Sequence, residues 1–245
     1  MMRAASVAKR SRTSKPKAPA EPRVRLDVEE RRTQLVALGL EHFGSRAYDD
    51  VSIDAIAAAA GISKGLLYHY FPTKRAYYAA TIAKAAALLV ACTETDGSLP
   101  PLARLHAGLE AYLGYVREHA KAYATLLRSG VGVDPEIARI VDETRATFLS
   151  RLTCGFGEGT LPRGEGPPPS TILESPSVRL ALRGWVGFAE AVSLGWTEAL
   201  AAGEAAPSQA QVQTLLGNAL LDIVRSAAEA GRAPDAHPSI GGSRK

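Results

Sequence analysis

The chain has 245 residues, of which 46% are hydrophobic and only 6% aromatic, and its formal net charge is +4. It contains no run of 18 consecutive apolar residues, so we expect no membrane-spanning helix. The N-terminus is basic but lacks the apolar segment of a secretory signal, and Cys92 and Cys154 lie far apart in sequence. These features favour a cytoplasmic helical protein over a secreted, disulfide-stabilised one.

The positive charge is concentrated in residues 1–25, which hold eight basic residues and one acidic residue. The rest of the chain therefore carries a net charge of about −3. Because the segment is rich in proline, serine and lysine, we predict a disordered basic tail. Such an arm can lie along DNA phosphates, or it can serve only to solubilise the protein. Residues 232–245 are predicted to form a second disordered tail.

Residues 26–72 are predicted to form a DNA-binding domain of three helices. Asp27 and Glu30 have the spacing of a capping box at the start of the first helix, which should end near Gly44.

A helix-turn-helix pattern occupies residues 52–71. Ser52 is a good N-cap for the second helix, and Ser63 is a good N-cap for the third. Between these helices Gly61 can adopt the positive φ that the turn requires. Pro72 then ends the third helix, which is the candidate reader of the major groove. An ordinary helical hairpin is the alternative interpretation.

The outer face of the third helix carries side chains suited to DNA. Lys64 can donate to guanine, Gly65 permits close backbone approach, and Leu66 can touch a thymine methyl group. Hydroxyls and amides at the helix starts favour phosphates, and the alternative for Ser52 is that it serves only as a cap. The predicted DNA-contacting residues are Ser52, Ser63, Lys64, Gly65, Leu66, Tyr68, His69, Tyr70, Thr73 and Lys74.

The segment from Arg32 to about Tyr78 resembles the TetR-type transcriptional regulators. The matching features are RTQLVALGLEHF, Tyr48-Asp49, Val51-Ser52, the corner Ala60-Gly61-Ile62-Ser63 and the phrase LLYHYFPTK. The chain departs from the family at Leu38-Gly39, where two alanines are usual, and at Ala47, where glycine is usual. The resemblance implies a homodimeric repressor with a helical core domain that binds a small effector.

Residues 73–231 are predicted to form this helical effector-binding and dimerisation domain. Thr73 should cap a long helix to about residue 92, and Asp134-Pro135 should open another. Further helices are predicted at about 101–119, 123–128, 177–203 and 208–231. The glycine- and proline-rich residues 155–177 should form a surface loop. No strand-like alternation appears, so the predicted fold class is all-α, a three-helix head followed by a helical domain.

Small residues recur along the helix at about 177–203, which lets another helix approach closely. The last helix has a broad apolar face, so two such helices per subunit predict a four-helix bundle across a two-fold axis. Alternatively, both helices belong to the core of one subunit. The predicted interface residues are Gly184, Gly187, Ala191, Gly195, Leu216, Leu220 and Ile223.

An effector pocket is expected among the helices of residues 101–200, with apolar walls and few polar groups. The candidate lining residues are Tyr112, Tyr115, His119, Tyr123, Arg145, Phe148, Trp185 and Phe188. Such a lining suits a small hydrophobic or amphipathic ligand. For each residue, core packing or surface exposure is the alternative.

The sequence thus predicts a dimeric regulator that binds a palindromic operator in double-stranded DNA and is released by an effector. No phosphate-binding glycine loop, metal-spaced His/Cys cluster or serine elbow occurs, so no enzyme activity, metal or cofactor is predicted. The second interpretation is an effector-independent, architectural or non-specific DNA binder that uses the basic tail.

Overall fold

The structure, a computed structural model, describes residues 27–128, 134–157 and 175–231. These residues form nine α-helices and no strand, which confirms the all-α fold class. The helices are α1 (Val28–Ser45), α2 (Ile53–Ala59), α3 (Lys64–Tyr70), α4 (Lys74–Cys92), α5 (Pro101–Glu118), α6 (Ala120–Arg128), α7 (Pro135–Gly157), α8 (Pro176–Ala202) and α9 (Gln209–Ala230). None of them is long and apolar enough to cross a membrane. The two predicted tails lie outside the described residues.

The helix starts of the head follow the predicted caps. Asp27 accepts a hydrogen bond from the Glu29 amide, and Glu30 accepts one from the Asp27 amide, so the capping box is formed. Ser52, Ser63 and Thr73 begin α2, α3 and α4 in the same way, each accepting from the amide three residues on. Each cap satisfies a backbone donor that the first helical turn leaves unpaired.

One hydrophobic core unites the three-helix head with α4. Leu35, Ile56 and Leu67, one from each head helix, are fully buried there. Tyr77 of α4 is also fully buried, and its hydroxyl donates to the backbone carbonyl of Leu35 in α1. The first four helices therefore pack as one unit.

A second core lies in the body, where α5, α8 and α9 pack together. Leu113, Leu182 and Leu216 are buried at its centre. The indole of Trp185 donates to the carbonyl of Leu216 at 3.1 Å, so this aromatic ring is held between α8 and α9 with its polar atom satisfied.

Helix α7 bridges the two cores. Ile137 and Ile140 at its beginning pack into the head core, whereas Leu149 and Leu152 near its end pack against the body core. The prediction that residues 155–177 form one surface loop is wrong at both ends, because α7 continues to Gly157 and α8 begins at Pro176. Proline suits this position, since the first helical residue needs no amide donor. Residues 158–174 lie outside the described part of the chain.

Candidate nucleic-acid interface and ligand cavity

Helices α2 and α3 meet at a tight corner. Gly61 has a φ of +66°, which glycine adopts without the steric penalty of a Cβ. The amide of Ile62 then donates to the carbonyl of Ala57 at 3.0 Å, which closes the turn. Ile56 and Leu67 are fully buried on the inner faces of the two helices, so α3 is held at a fixed angle on the head.

The outer face of α3 is open to solvent. Lys64, Gly65 and His69 are exposed, and Leu66 keeps 41% of its surface accessible. Tyr68 and Tyr70 are half-buried and pack against the head core. These two tyrosines therefore present only part of each ring to a groove, while the four exposed residues form the most accessible part of the surface.

Lys64 is not isolated on this face. Its ammonium group lies 2.9 Å from a carboxylate oxygen of Asp54 in α2, and both side chains are at least half exposed. The hydrogen bond with Asp54 raises the pKa of Lys64 above its ordinary value. The pairing of this acidic side chain with the predicted base-contacting lysine had not been singled out from the sequence, although Asp54 lies in the first turn of α2, two residues after the cap Ser52.

The hydroxyl groups that cap α2, α3 and α4 each still have a hydrogen that they can donate. In each cap the oxygen of Ser52, Ser63 or Thr73 accepts a bond from a backbone amide. A hydroxyl group has one hydrogen besides its acceptor lone pairs, so each can still donate to a phosphate. Capping and phosphate binding are thus compatible for all three residues.

Lys74 is folded back onto the turn between α1 and α2. Its ammonium group donates to the carbonyl of Asp49 at 3.1 Å and lies 4.7 Å from the centre of the Tyr48 ring. This position places its charge next to the head, and the side chain is half-buried.

A cavity of about 450 Å³ lies among α1, α4, α5, α6, α7 and α8. Its volume is within the range of small-molecule sites, and its walls are mainly apolar. The predicted residues on its wall are Tyr112, Tyr115, His119, Tyr123, Arg145, Phe148 and Trp185. Seven of the eight pocket residues predicted from the sequence therefore line one cavity.

The prediction that Phe188 lines this cavity is wrong. Residues such as Leu182, Trp185 and Ala189 define the inward face of α8, and Phe188 lies roughly a third of a turn away from its middle. Its side chain is 37% exposed, on the outer side of the helix.

The cavity wall carries two polar pairs. The hydroxyls of Tyr112 and Tyr123 are 2.6 Å apart. Arg145 forms a two-pronged ion pair with Glu190, at 2.9 and 2.7 Å. Burial raises the pKa of Tyr112 to about 12, so this phenol is neutral near pH 7.

A third polar group, Arg151, lies where α7 meets the end of α4. Its Nη1 donates to the Val90 carbonyl at 3.0 Å and to the Thr93 hydroxyl at 2.9 Å. Glu190 and Arg151 had not been singled out from the sequence. Arg151 follows Arg145 and Phe148 at helical spacing on α7, and Glu190 is a lone charge in an apolar stretch, so both signals were present.

The predicted dimer surface divides into exposed and buried parts. Gly184, Gly187, Ala191 and Gly195 are exposed along one side of α8, and a Cβ built on any of the three glycines would meet no atom within 4 Å. Leu180, Phe188 and Leu215 are large apolar side chains that are also exposed, at 73%, 37% and 50%.

Two leucines of the predicted interface are instead core residues. Leu216 and Leu220 are fully buried within the single chain, so their side chains cannot reach a second copy, and their assignment to the interface is wrong. Ile223 is half-buried and packs against the same core. The broad apolar face of α9 is thus used mainly inside the subunit.

The capped α2–turn–α3 unit and its exposed α3 define a helix-turn-helix DNA-binding regulator. Comparison with protein families gives the same class. The family described as "Bacterial regulatory proteins, tetR family" matches residues 35–81, and "Tetracyclin repressor-like, C-terminal domain" matches residues 101–221. The chain belongs to the TetR family of transcriptional regulators, which are DNA-binding proteins and not enzymes.

Similar proteins agree with this assignment. A crystal structure of a tetR-family transcriptional regulator from Streptomyces coelicolor is 28% identical, with a TM-score of 0.68, over 87% of this chain and 94% of that one. The HTH-type transcriptional activator FasR of Mycolicibacterium smegmatis is 31% identical over 46% of this chain and 53% of its own length. The transcriptional regulator AcuR of Cereibacter sphaeroides is 39% identical over 34% of this chain and 40% of its own length. The chain thus spans about half the length of these two curated relatives, or less.

Proposed function

We propose that the protein is a homodimeric, sequence-specific regulator that binds a palindromic operator and is released from it by a small apolar or amphipathic ligand. The observation that carries this proposal is the exposed face of α3, held at a fixed angle on the head by a corner with buried inner residues and capped helix starts. A rigid helix with accessible Lys64, Gly65 and Leu66 can enter a major groove and contact base edges.

The dimer is supported by the exposed stripe of small residues on α8. A second helix can approach this stripe closely, and the neighbouring Leu180, Phe188 and Leu215 supply apolar area that a single chain leaves in water. Two chains joined across a two-fold axis would present two α3 helices with the same symmetry as a palindromic operator.

Control by a ligand is supported by the position of the cavity. Its walls include α1 and α4, which pack with α2 and α3 in one core, as well as α5, α7 and α8 of the body. A ligand that fits one arrangement of α4 better than another would shift the spacing of the two α3 helices. Only such differential affinity can change operator binding.

The proposed sign of regulation is repression. A dimer bound across a promoter excludes polymerase without any further contact, whereas activation needs an additional surface. The relative FasR is called an activator, and the sign is therefore tested separately, by placing the selected operator upstream of or within a reporter promoter.

The experiment that tests DNA reading is selection of binding sites from random duplexes with the full chain. We expect a palindrome with two half-sites. Lys64→Ala should blur or abolish the motif, whereas Lys121→Ala, which changes an exposed lysine on α6 outside the head, should recover the same motif. If no motif is enriched and binding is lost on removal of residues 1–25, the basic tail carries the binding. The second interpretation, a non-specific DNA binder, would then replace this proposal.

A further inference from the structure

Arg151 is one of the polar residues on the cavity wall. It lies on the same face of α7 as Arg145 and Phe148, and all three line the cavity wall. Arg151 lies six positions after Arg145, so the two are about 9 Å apart along the helix axis. The Phe148 ring lies between them in sequence, with the Arg151 guanidinium 6.0 Å from its centre.

The charge of Arg145 is already balanced. Glu190 accepts two hydrogen bonds from its guanidinium, and Asp142 lies 3.4 Å from Nη1. A charged ligand therefore gains little at this end of the cavity, where the Tyr112 and Tyr123 hydroxyls supply only neutral groups.

The charge of Arg151 is not balanced in this way. Among the described residues no carboxylate lies within ion-pair distance of it, and its two polar partners, Val90 and Thr93, are neutral acceptors. Both bonds come from Nη1. The Nε and Nη2 hydrogens form another edge of the guanidinium, and such an edge can bind a carboxylate with two parallel hydrogen bonds.

We propose that the ligand is an amphiphilic anion, an apolar chain or ring system that ends in a carboxylate bound by Nε and Nη2 of Arg151. The apolar part would lie against Phe148 and the aliphatic wall, and a cation of similar shape would be repelled. This inference rests on the proposed ligand-controlled function and specifies the chemistry of its ligand.

The same contact would link the ligand to the head. Val90 and Thr93 belong to the last turn and the C-cap of α4, whose first residue lies four positions after the end of α3. Arg151 currently satisfies carbonyl and hydroxyl acceptors at that helix end, where a cation is favoured by the helix dipole. A carboxylate bound to Arg151 would join the hydrogen bonds that Arg151 makes to Val90 and Thr93. Occupation of the cavity would therefore change the surroundings of the α4 C-terminus.

The test is calorimetric titration of the full chain with decanoate, decan-1-ol and decylamine. These probes share one chain and differ in charge. We expect decanoate to bind at least about tenfold more tightly than the alcohol, since hydrogen bonds to charged groups contribute more than neutral ones. Arg151→Met should lower the affinity for decanoate by about tenfold or more and should change the affinity for the alcohol by no more than about twofold. Arg151→Lys should retain part of the affinity for decanoate, because it keeps the charge.

Arg117→Met is the matched control, because Arg117 is exposed on α5 and does not line the cavity. The anionic assignment would be overturned if the three probes bind with equal affinity or if decylamine binds most tightly. It would also be overturned if Arg151→Met weakens binding of the acid and of the alcohol equally. Failure of all three probes to bind would overturn this inference. Operator selection by the same preparation reports separately on DNA reading.

Discussion

Gly39 is the point at which α1 approaches α4 too closely for a side chain. A Cβ at this position would clash with the Thr81 hydroxyl and would lie 3.0 Å from the Tyr77 hydroxyl. Both hydroxyls are buried, and each already donates to a backbone carbonyl. Thr81 and Tyr77 therefore leave no room for a side chain at Gly39.

Gly39→Ala should therefore destabilise the head. Although alanine is the better helix former, the added methyl must displace buried polar groups, and overpacking of this kind costs about 1–3 kcal/mol. Urea unfolding gives the free energy. Gly114→Ala on α5, where a Cβ would meet no atom within 4 Å, should instead stabilise by about 0.5–1 kcal/mol. Equal effects of the two substitutions would show that the contact between α1 and α4 is not tight.

Asp54 is expected to restrain DNA affinity. Its carboxylate pairs with Lys64 on the exposed surface, so it both competes with phosphates for the lysine and repels them. Asp54→Asn should raise affinity for operator and unrelated duplexes alike, with a steeper salt dependence. Glu118→Gln removes the same charge from an exposed position on α5, which is not a helix of the head, and should change neither quantity. Fluorescence anisotropy at several salt concentrations measures both. Weaker binding by Asp54→Asn would mean that Asp54 positions Lys64 for DNA.

Helix α7 is the element through which the body holds the head. Its first residue follows Asp134, whose carboxylate caps the helix by accepting from the Glu136 amide and also binds Arg75 near the start of α4, at 2.6 Å. Partial burial alone would raise the pKa of Asp134. The bonds from Arg75 and from the amides of Ile137 and Glu136 outweigh it and lower the pKa below its ordinary value.

Asp134→Asn and Asp134→Ala separate these two roles. Asparagine keeps the cap and loses the ion pair, so we expect a loss of no more than about 1 kcal/mol at pH 7. Alanine should lose about 1 kcal/mol more. Because the folded pKa is depressed, the contribution of the charge is present above the unfolded pKa of about 4 and disappears as the pH falls through the folded value.

Urea unfolding between pH 7 and pH 3 tests this prediction. The difference between the native chain and Asp134→Asn should shrink towards zero at the acid end. A difference that stays constant over that range would show that the carboxylate acts through its shape and not through its charge.

The starts of the capped helices in the head could be predicted from the sequence because their determinants are local. Ser63 and Thr73 each cap a helix by accepting a hydrogen bond from the amide three residues on. The turn at Gly61 depends only on the positive φ of that residue. The polar pairs of the cavity could not be predicted in this way. Arg145 meets Glu190 across 45 positions, and Arg151 meets Thr93 across 58, so these contacts depend on how α4, α7 and α8 pack. Leu216 and Leu220 were assigned to the wrong surface for the same reason, since an apolar face does not itself specify its partner.

The complete regulator is proposed to be two chains joined through α8 and α9. The exposed stripe from Gly184 to Gly195, flanked by exposed Leu180 and Leu215, is the surface on which this assembly depends. Gly187→Glu places a charge in the middle of it, and within one chain a Cβ there meets open space. The variant should therefore fold normally and fail to dimerise, because an unpaired charge is costly to bury.

Analytical ultracentrifugation with parallel circular dichroism checks this outcome. Ala103→Glu, an exposed position on α5, is the matched control and should stay dimeric. A dimeric Gly187→Glu would place the interface elsewhere on the surface.

The most direct test of the proposed function is the stoichiometry and affinity of operator binding, measured on duplexes that carry two half-sites or one. A dimeric reader should bind the two-site duplex as two chains per duplex, with half-site centres about one helical turn, or a multiple of it, apart. It should bind the one-site duplex at least about a hundredfold more weakly, since the second head then contacts only non-specific DNA. Gly187→Glu should lose this advantage. One chain per duplex, with equal affinity for both duplexes and for the variant, would contradict a dimer that reads a palindrome.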